Sequence, residues 1–192
     1  SPTDLADILD ELIARKLAPA LAAGCSVILR PSNQTPGTAM VMVDCCRAGN
    51  LPEGVVNLVV GPTSATYAPI MASALVRKVS LTGSTRVGQQ MIRDAADTMK
   101  KVTMELGGNA PLIVYDDADL ETALSVSVPT KFANAGQVCV TADRIFVHDS
   151  LHDAFVAGFA ARAKALKLGD GLDPSVQMGP VINGGRRGEL EG

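Results

Sequence analysis

Between Ser26 and Glu105 short apolar runs alternate with stretches of helical spacing, and that alternation restricts the chain to few architectures. Residues 26–31, Ser26-Val27-Ile28-Leu29-Arg30-Pro31, read as a short buried strand. Further strands are expected at 55–60, which ends at Gly61-Pro62, at 78–82 and at 102–105. Between them Pro36 opens a helix through Cys46, a second covers 65–75, and Gly83-Ser84 opens a third reaching Met99. Short strands separated by longer helices require crossover connections, and therefore parallel βαβ units. Beyond Leu112 the same elements recur: strands at 112–115 and 144–147, and helices at 119–133 and 151–166, the last amphipathic and capped by Ser150. At the front, Leu5, Ile8, Leu9, Leu12 and Ile13 define a helix over 3–23 that Pro19 is expected to break or kink.

Charge and composition remove several classes of function. A net charge of −3, with no basic run and no Trp, argues against a nucleic-acid surface. The apolar runs are too short to span a bilayer, and Ser1 is not followed by a basic start and an apolar h-region. No membrane and no signal peptide are therefore expected. Cys25, Cys45, Cys46 and Cys139 show no CxxC spacing, which fits reduced thiols and a cytoplasmic location. His148 and His152 flank a helix start without a ligand cluster, so no metal is expected.

Three stretches carry chemistry. In Phe132-Ala133-Asn134-Ala135-Gly136-Gln137-Val138-Cys139-Val140 a cysteine sits in a bend of small and polar residues, where a substrate can reach a thiolate. Asn134 and Gln137 are expected to shape that bend. In Met104-Glu105-Leu106-Gly107-Gly108-Asn109 a carboxylate ends an apolar strand before paired glycines, as a general base in a cleft would. Gly83-Ser84-Thr85-Arg86-Val87-Gly88 lies where a strand gives way to a helix, so its N–H groups could receive pyrophosphate. Taken singly, Cys139 reads better as a buried thiol and Glu105 as a surface carboxylate, and the glycine loop reads equally well as a capped helix start.

Cys139 and Glu105 lie 34 residues apart, and together their stretches resemble the NAD(P)-dependent aldehyde dehydrogenase superfamily over about 15–183. The resemblance implies an α/β fold: a Rossmann-like parallel sheet as a partial dinucleotide-binding domain over 1–107, then part of an α/β catalytic domain over 108–192. It implies that Cys139 thiolate attacks a small-molecule aldehyde and that Glu105 activates the water releasing the acid. It assigns NAD or NADP to Arg30, Ser32, Asn33, Thr82, Gly83, Ser84, Val87 and Leu106. Asn33 stands where a glutamate would repel a 2′-phosphate, which admits NADP. Residues 166–174 and 105–111 look most like the semialdehyde-oxidising branch, such as succinate-semialdehyde dehydrogenase.

The likeness has gaps. Leu5-Ala6-Asp7 falls where the family has an asparagine that donates to the oxyanion, and Ser64 and Tyr67 replace residues often glycine beside the cofactor. The family's later ribose-gripping glutamate and its subunit-pairing strand would lie past Gly192. Uncovered apolar surface then implies self-association or a complementing chain. Two readings stay open at this point: an aldehyde-oxidising enzyme, and a truncated, inactive relative that at most binds nucleotide or a partner chain. If the bend is an active-site loop, Cys139 is expected to be the most accessible of the four thiols.

Overall fold

The computed structural model describes the backbone of residues 2–192 and the side chains of residues 12–192. The chain divides into two compact units, Thr3–Leu106 and Gly107–Gly192. In the first, α1 (Pro2–Ala22) runs through Pro19 without the expected break. Proline deletes one N–H donor but keeps its carbonyl, and the Pro19 carbonyl accepts from the Ala23 N–H at 3.1 Å. Gly24, at φ 73°, then closes the helix in the left-handed region.

Two βαβ units follow. β1 (Val27–Leu29), α2 (Gly37–Ala48) and β2 (Val56–Leu58) form the first, with Val27 opposite Val56. After α3 (Thr63–Ala72), the second comprises β3 (Lys78–Gly83), α4 (Thr85–Ala96) and β4 (Lys101–Leu106), in register from Lys78 opposite Lys101 to Gly83 opposite Leu106. The Gly107–Gly192 unit repeats the pattern with β5 (Ala110–Val114), α5 (Leu120–Phe132) and β6 (Ala142–Val147), and adds α6 (Asp149–Ala165) and α7 (Gly184–Glu191). The chain is therefore mixed α/β with parallel pairing throughout. Among the described residues the strands pair in twos rather than in one continuous sheet.

Each pair leaves part of its surface open, with Ile28 47%, Val102 39% and Ile113 56% exposed. β1 is thus not the buried strand its apolar run implies. An apolar run says what a strand is able to bury, not what is laid over it. Among the described residues no helix is long and apolar enough to cross a membrane.

The core of the first unit joins Met71 of α3, Val79 of β3 and Ala95 of α4, with Tyr67, Val76 and Met91 around them. Gly88 brings α4 close to β4: a Cβ there would lie 2.7 Å from Leu106 Cδ2. Lys100 is only 7% exposed. Its Nζ donates to the Ser73 carbonyl at 2.6 Å and the Val76 carbonyl at 2.8 Å, just past the end of α3, where acceptors lack intrahelical partners. Lys100→Met keeps the stem packed and removes both donors. It is expected to cost about 2–3 kcal/mol in urea unfolding. An unchanged midpoint would mean that water serves the two carbonyls as well.

Tyr67 ties α3 to α4 by donating its hydroxyl to Asp94 Oδ2 at 2.6 Å. Burial first, then the Asp94 hydrogen bond and its charge, push the phenol from 10.0 up to about 12. A proton held more tightly in the fold stabilises it fully below pH 10.0, and that contribution fades as the pH rises to about 12. With two tyrosines in the chain, Tyr67→Phe is expected to remove a phenolate absorbance step near pH 12. A step surviving in the variant would belong to another group.

In the second unit Val114, Leu124 and Phe155 form the core, with Leu112, Ile145 and Phe159 packed against it. Asp119 caps α5 by accepting the Thr122 N–H at 2.7 Å; the Thr122 side chain first, and then this N–H, hold its carboxyl below the usual range. α6 is capped by His148 rather than Ser150: the ring Nδ1 accepts the Ser150 N–H at 3.3 Å. The helix starts two residues earlier than its apolar spacing indicates, because a ring nitrogen fills the place of a hydroxyl.

Candidate active site

The bend that carries Cys139 begins at the end of α5, where the Ala133 N–H donates to the Pro129 carbonyl. Three successive residues then turn left-handed: Asn134 at φ 50°, Ala135 at φ 56° and Gly136 at φ 74°. Glycine adopts this region freely, whereas an L side chain costs roughly 1–2 kcal/mol there, so Asn134 and Ala135 must be held. Asn134 Nδ2 donates to the Gln137 carbonyl at 3.2 Å, and Gln137 Nε2 returns a bond to the Asn134 carbonyl at 2.9 Å. The Gln137 N–H reaches that same carbonyl at 3.1 Å. Asn134 and Gln137 do shape the bend.

Beyond the cysteine, buried Thr141 donates its hydroxyl to the Gly136 carbonyl at 3.3 Å and its N–H to the Val138 carbonyl at 3.0 Å. Cys139 sits between these two anchors with its side chain exposed. Among the described residues its N–H donates to no group, which leaves it open to an oxyanion. Its carbonyl rests on Gly108, where a Cβ would come within 2.8 Å. The start of β6 is also fixed. Pairing with β5 shifts between Ala110 and Pro111, stepping over Asp143, whose carboxylate takes Lys131 Nζ at 3.0 Å. Arg144 Nη2 donates to the Asn109 carbonyl at 2.9 Å.

Exposure does not single out Cys139. Cys25 and Cys45 are exposed as well, and Cys46 is half-buried. Cys25 lies in the turn ahead of β1 rather than inside a strand, which accounts for its accessibility.

In the first unit, the carboxyl ends of β3 and β4 gather a second group of residues. Thr82 pairs with Glu105 and Gly83 with Leu106. Ser84 caps α4, its Oγ accepting the Val87 N–H at 3.3 Å, and the Gly88 N–H begins the helical ladder at the Ser84 carbonyl, 3.0 Å away. The Thr85 and Arg86 N–H groups are left at the positive end of the helix dipole. The carboxyl end of a parallel pair is where open α/β folds bind ligands. Glu105 is exposed there.

Arg30, Ser32 and Asn33 lie at the carboxyl end of β1, in the other pair. The Arg30 guanidinium is engaged: Nε donates to Thr66 Oγ1 at 3.0 Å, and Nη2 donates to Thr63 Oγ1 at 2.6 Å and to the Gly61 carbonyl at 3.2 Å. Ser32 Oγ takes the Gln34 N–H at 3.2 Å, and Asn33 is exposed. Leu5-Ala6-Asp7, at the position of the family's oxyanion-donor asparagine, lies outside the residues whose side chains are described. Sequence reading missed Thr141, the Asp143 step and the seat of Cys139 on Gly108. Only the glycine pair at 107–108 signals the last of these.

The sequence model of the aldehyde dehydrogenase family matches residues 11–192. The 3-sulfolactaldehyde dehydrogenase of Pseudomonas putida is 48% identical over 172 residues, covering 90% of this chain and 35% of that protein. The succinate-semialdehyde dehydrogenase (NADP(+)) of Escherichia coli strain K12 is 45% identical over 172 residues, covering 90% and 36%. The crystal structure of betaine aldehyde dehydrogenase from Staphylococcus aureus in complex with NAD+ aligns with a TM-score of 0.88 at 37% identity, over 92% of this chain and 35% of that one. The chain spans about a third of the length of the curated relatives it matches.

Proposed function

Because this chain belongs to the aldehyde dehydrogenase family, we propose that it carries the nucleophile, the general base and cofactor contacts for NAD(P)-dependent oxidation of an aldehyde to a carboxylic acid. The observation that carries this reading is the exposed Cys139 on a loop anchored at both sides, with its own N–H donating to none of the described residues.

The residues present fit a dinucleotide. The capped start of α4 offers N–H groups to pyrophosphate, and Gly88 lets that helix sit close to β4. Thr82, Gly83, Ser84, Val87 and Leu106 would hold it on this side, and Ser32 and Asn33 the adenosine ribose. Arg30 would support them from the start of α3. The neutral Asn33 leaves a 2′-phosphate unrepelled, so NADP is accepted beside NAD. When bound, NAD(P) supplies the hydride acceptor that converts the thiohemiacetal carbon into a thioester carbon.

The remaining steps belong to this chain. Cys139 thiolate adds to the aldehyde carbon, forming the C–S bond and moving the carbonyl electron pair onto oxygen. The Cys139 N–H donates to that oxygen. Glu105 takes a proton from water as the water attacks the thioester; the C–S bond then breaks and the acid leaves. The substrate class is an aldehyde with a distal anion, supported by the names of the sulfolactaldehyde and succinate-semialdehyde relatives. We place the reaction in the cytoplasm, where the thiol stays reduced. The open sheet faces favour self-association or a complementing chain, which would appear as activity that depends on protein concentration.

The test measures NAD(P)H formation with succinate semialdehyde, 3-sulfolactaldehyde and an uncharged aldehyde. The anionic substrates are expected to turn over faster, and equal turnover would refute the substrate class. Glu105→Gln is expected to slow steady turnover by roughly 10²–10⁴-fold while the first-turnover burst of NAD(P)H persists. Nucleotide binding without any turnover by the unaltered protein would instead favour an inactive, nucleotide-binding relative.

A further inference from the structure

Gln137 does more than close its own turn. Its side-chain amide is held at both ends: Nε2 donates to the Asn134 carbonyl at 2.9 Å, and Oε1 accepts the Ile182 N–H at 3.2 Å. Ile182 lies 45 residues further on, in Gly179-Pro180-Val181-Ile182-Asn183, and Asn183 then caps α7 by accepting the Arg186 N–H at 2.9 Å. One half-buried amide therefore joins the left-handed turn ahead of Cys139 to the segment that starts α7. All of these residues lie in the Gly107–Gly192 unit.

We infer that Gln137 is a positioning residue for the nucleophile: by clamping the Asn134–Gly136 turn to the 179–183 segment, it fixes where the Cys139 thiol points. Two L residues at positive φ give up that conformation once the bonds holding it are removed. Asn134 Nδ2 and the Gln137 N–H hold the turn only to itself, so they cannot set its place in the unit. Gln137 Oε1 connects the turn to a segment distant in sequence, and Cys139 follows two residues later. An amide is needed, since the position must donate at one end and accept at the other. A carboxylate accepts at both, and a thioether does neither job well.

The inference rests on the proposed role of Cys139, and its test separates the two. In the full-length protein, Gln137→Met and Gln137→Glu are compared with the parent by three measurements. These are kcat and KM, amide exchange at 179–183, and the iodoacetamide rate at Cys139 relative to exposed Cys25 and Cys45. Gln137→Met is expected to lower kcat by about 100-fold, as a small misplacement of a nucleophile does. KM for NAD(P) should stay level, exchange at 179–183 should rise, and the Cys139 rate should shift several-fold against both control thiols. Gln137→Glu retains the acceptor for Ile182 and is expected to fall between Met and the parent.

An unchanged Cys139-to-control ratio in a variant that keeps the parent's fold overturns the inference. If Gln137→Met does not fold, the same comparison is read from Gln137→Glu. If the parent shows no turnover, the enzymatic reading fails by itself. The alkylation ratio and the exchange at 179–183 still decide whether Gln137 aims the thiol.

Discussion

Cys139→Ser is expected to abolish aldehyde-dependent NAD(P)H formation, with a loss on the order of 10³-fold or more in kcat. A serine hydroxyl stays protonated at neutral pH, and no described residue contacts the Cys139 side chain as a base. The loop itself should survive. Asn134, Gln137 and Thr141 hold it through their own side chains, and the Cys139 side chain is exposed. Melting temperature and calorimetric affinity for NAD(P) are therefore expected to match the parent. A serine variant that still turned over would move the nucleophile elsewhere, with Cys25 and Cys45 as the exposed alternatives. A variant that lost activity together with its fold would leave the chemistry to the alkylation test of Cys139.

Gly108→Ala is the second large effect, and it acts through the backbone. The added Cβ would lie 2.8 Å from the Cys139 carbonyl oxygen, which has no flexible end to swing aside. Either the 107–109 segment or the nucleophile loop must move. A shift of that size is expected to cost about 100-fold in kcat and roughly 1–3 kcal/mol in stability through overpacking. Gly107 supplies the control, because a Cβ there meets nothing within 4 Å and its φ is not in the left-handed region. Gly107→Ala is therefore expected to be nearly silent. If the two variants behave alike, close approach to Cys139 is not what the glycine at 108 provides.

Much of the frame is written locally. The order of strands and helices follows from apolar spacing and from the residues that open and close each element. Ser84 and Asp119 cap their helices through atoms three residues away, and Cys139 lies in a bend because Asn134, Gly136 and Gln137 favour one. Interactions reaching three or four residues depend on composition and spacing, which a linear reading contains. The same reading allows Pro19 to break α1, which instead continues through it, since whether a proline interrupts a helix depends on what satisfies the carbonyls around it. It also misplaces the cap of α6, where His148 takes a hydroxyl's part.

The details that aim the thiol arise at long range. Gln137 meets Ile182 across 45 residues, Gly108 supports the carbonyl of Cys139, and Arg30 is drawn to Thr63 and Thr66 across the β1–β2 pair. Strand register and helix seating decide which backbone groups face one another, and neither is a property of a short stretch. Residue types therefore announce that Cys139 is available for chemistry. The pairing of distant backbone groups sets the direction in which it points, because only a folded chain brings a donor at Ile182 to an acceptor on Gln137.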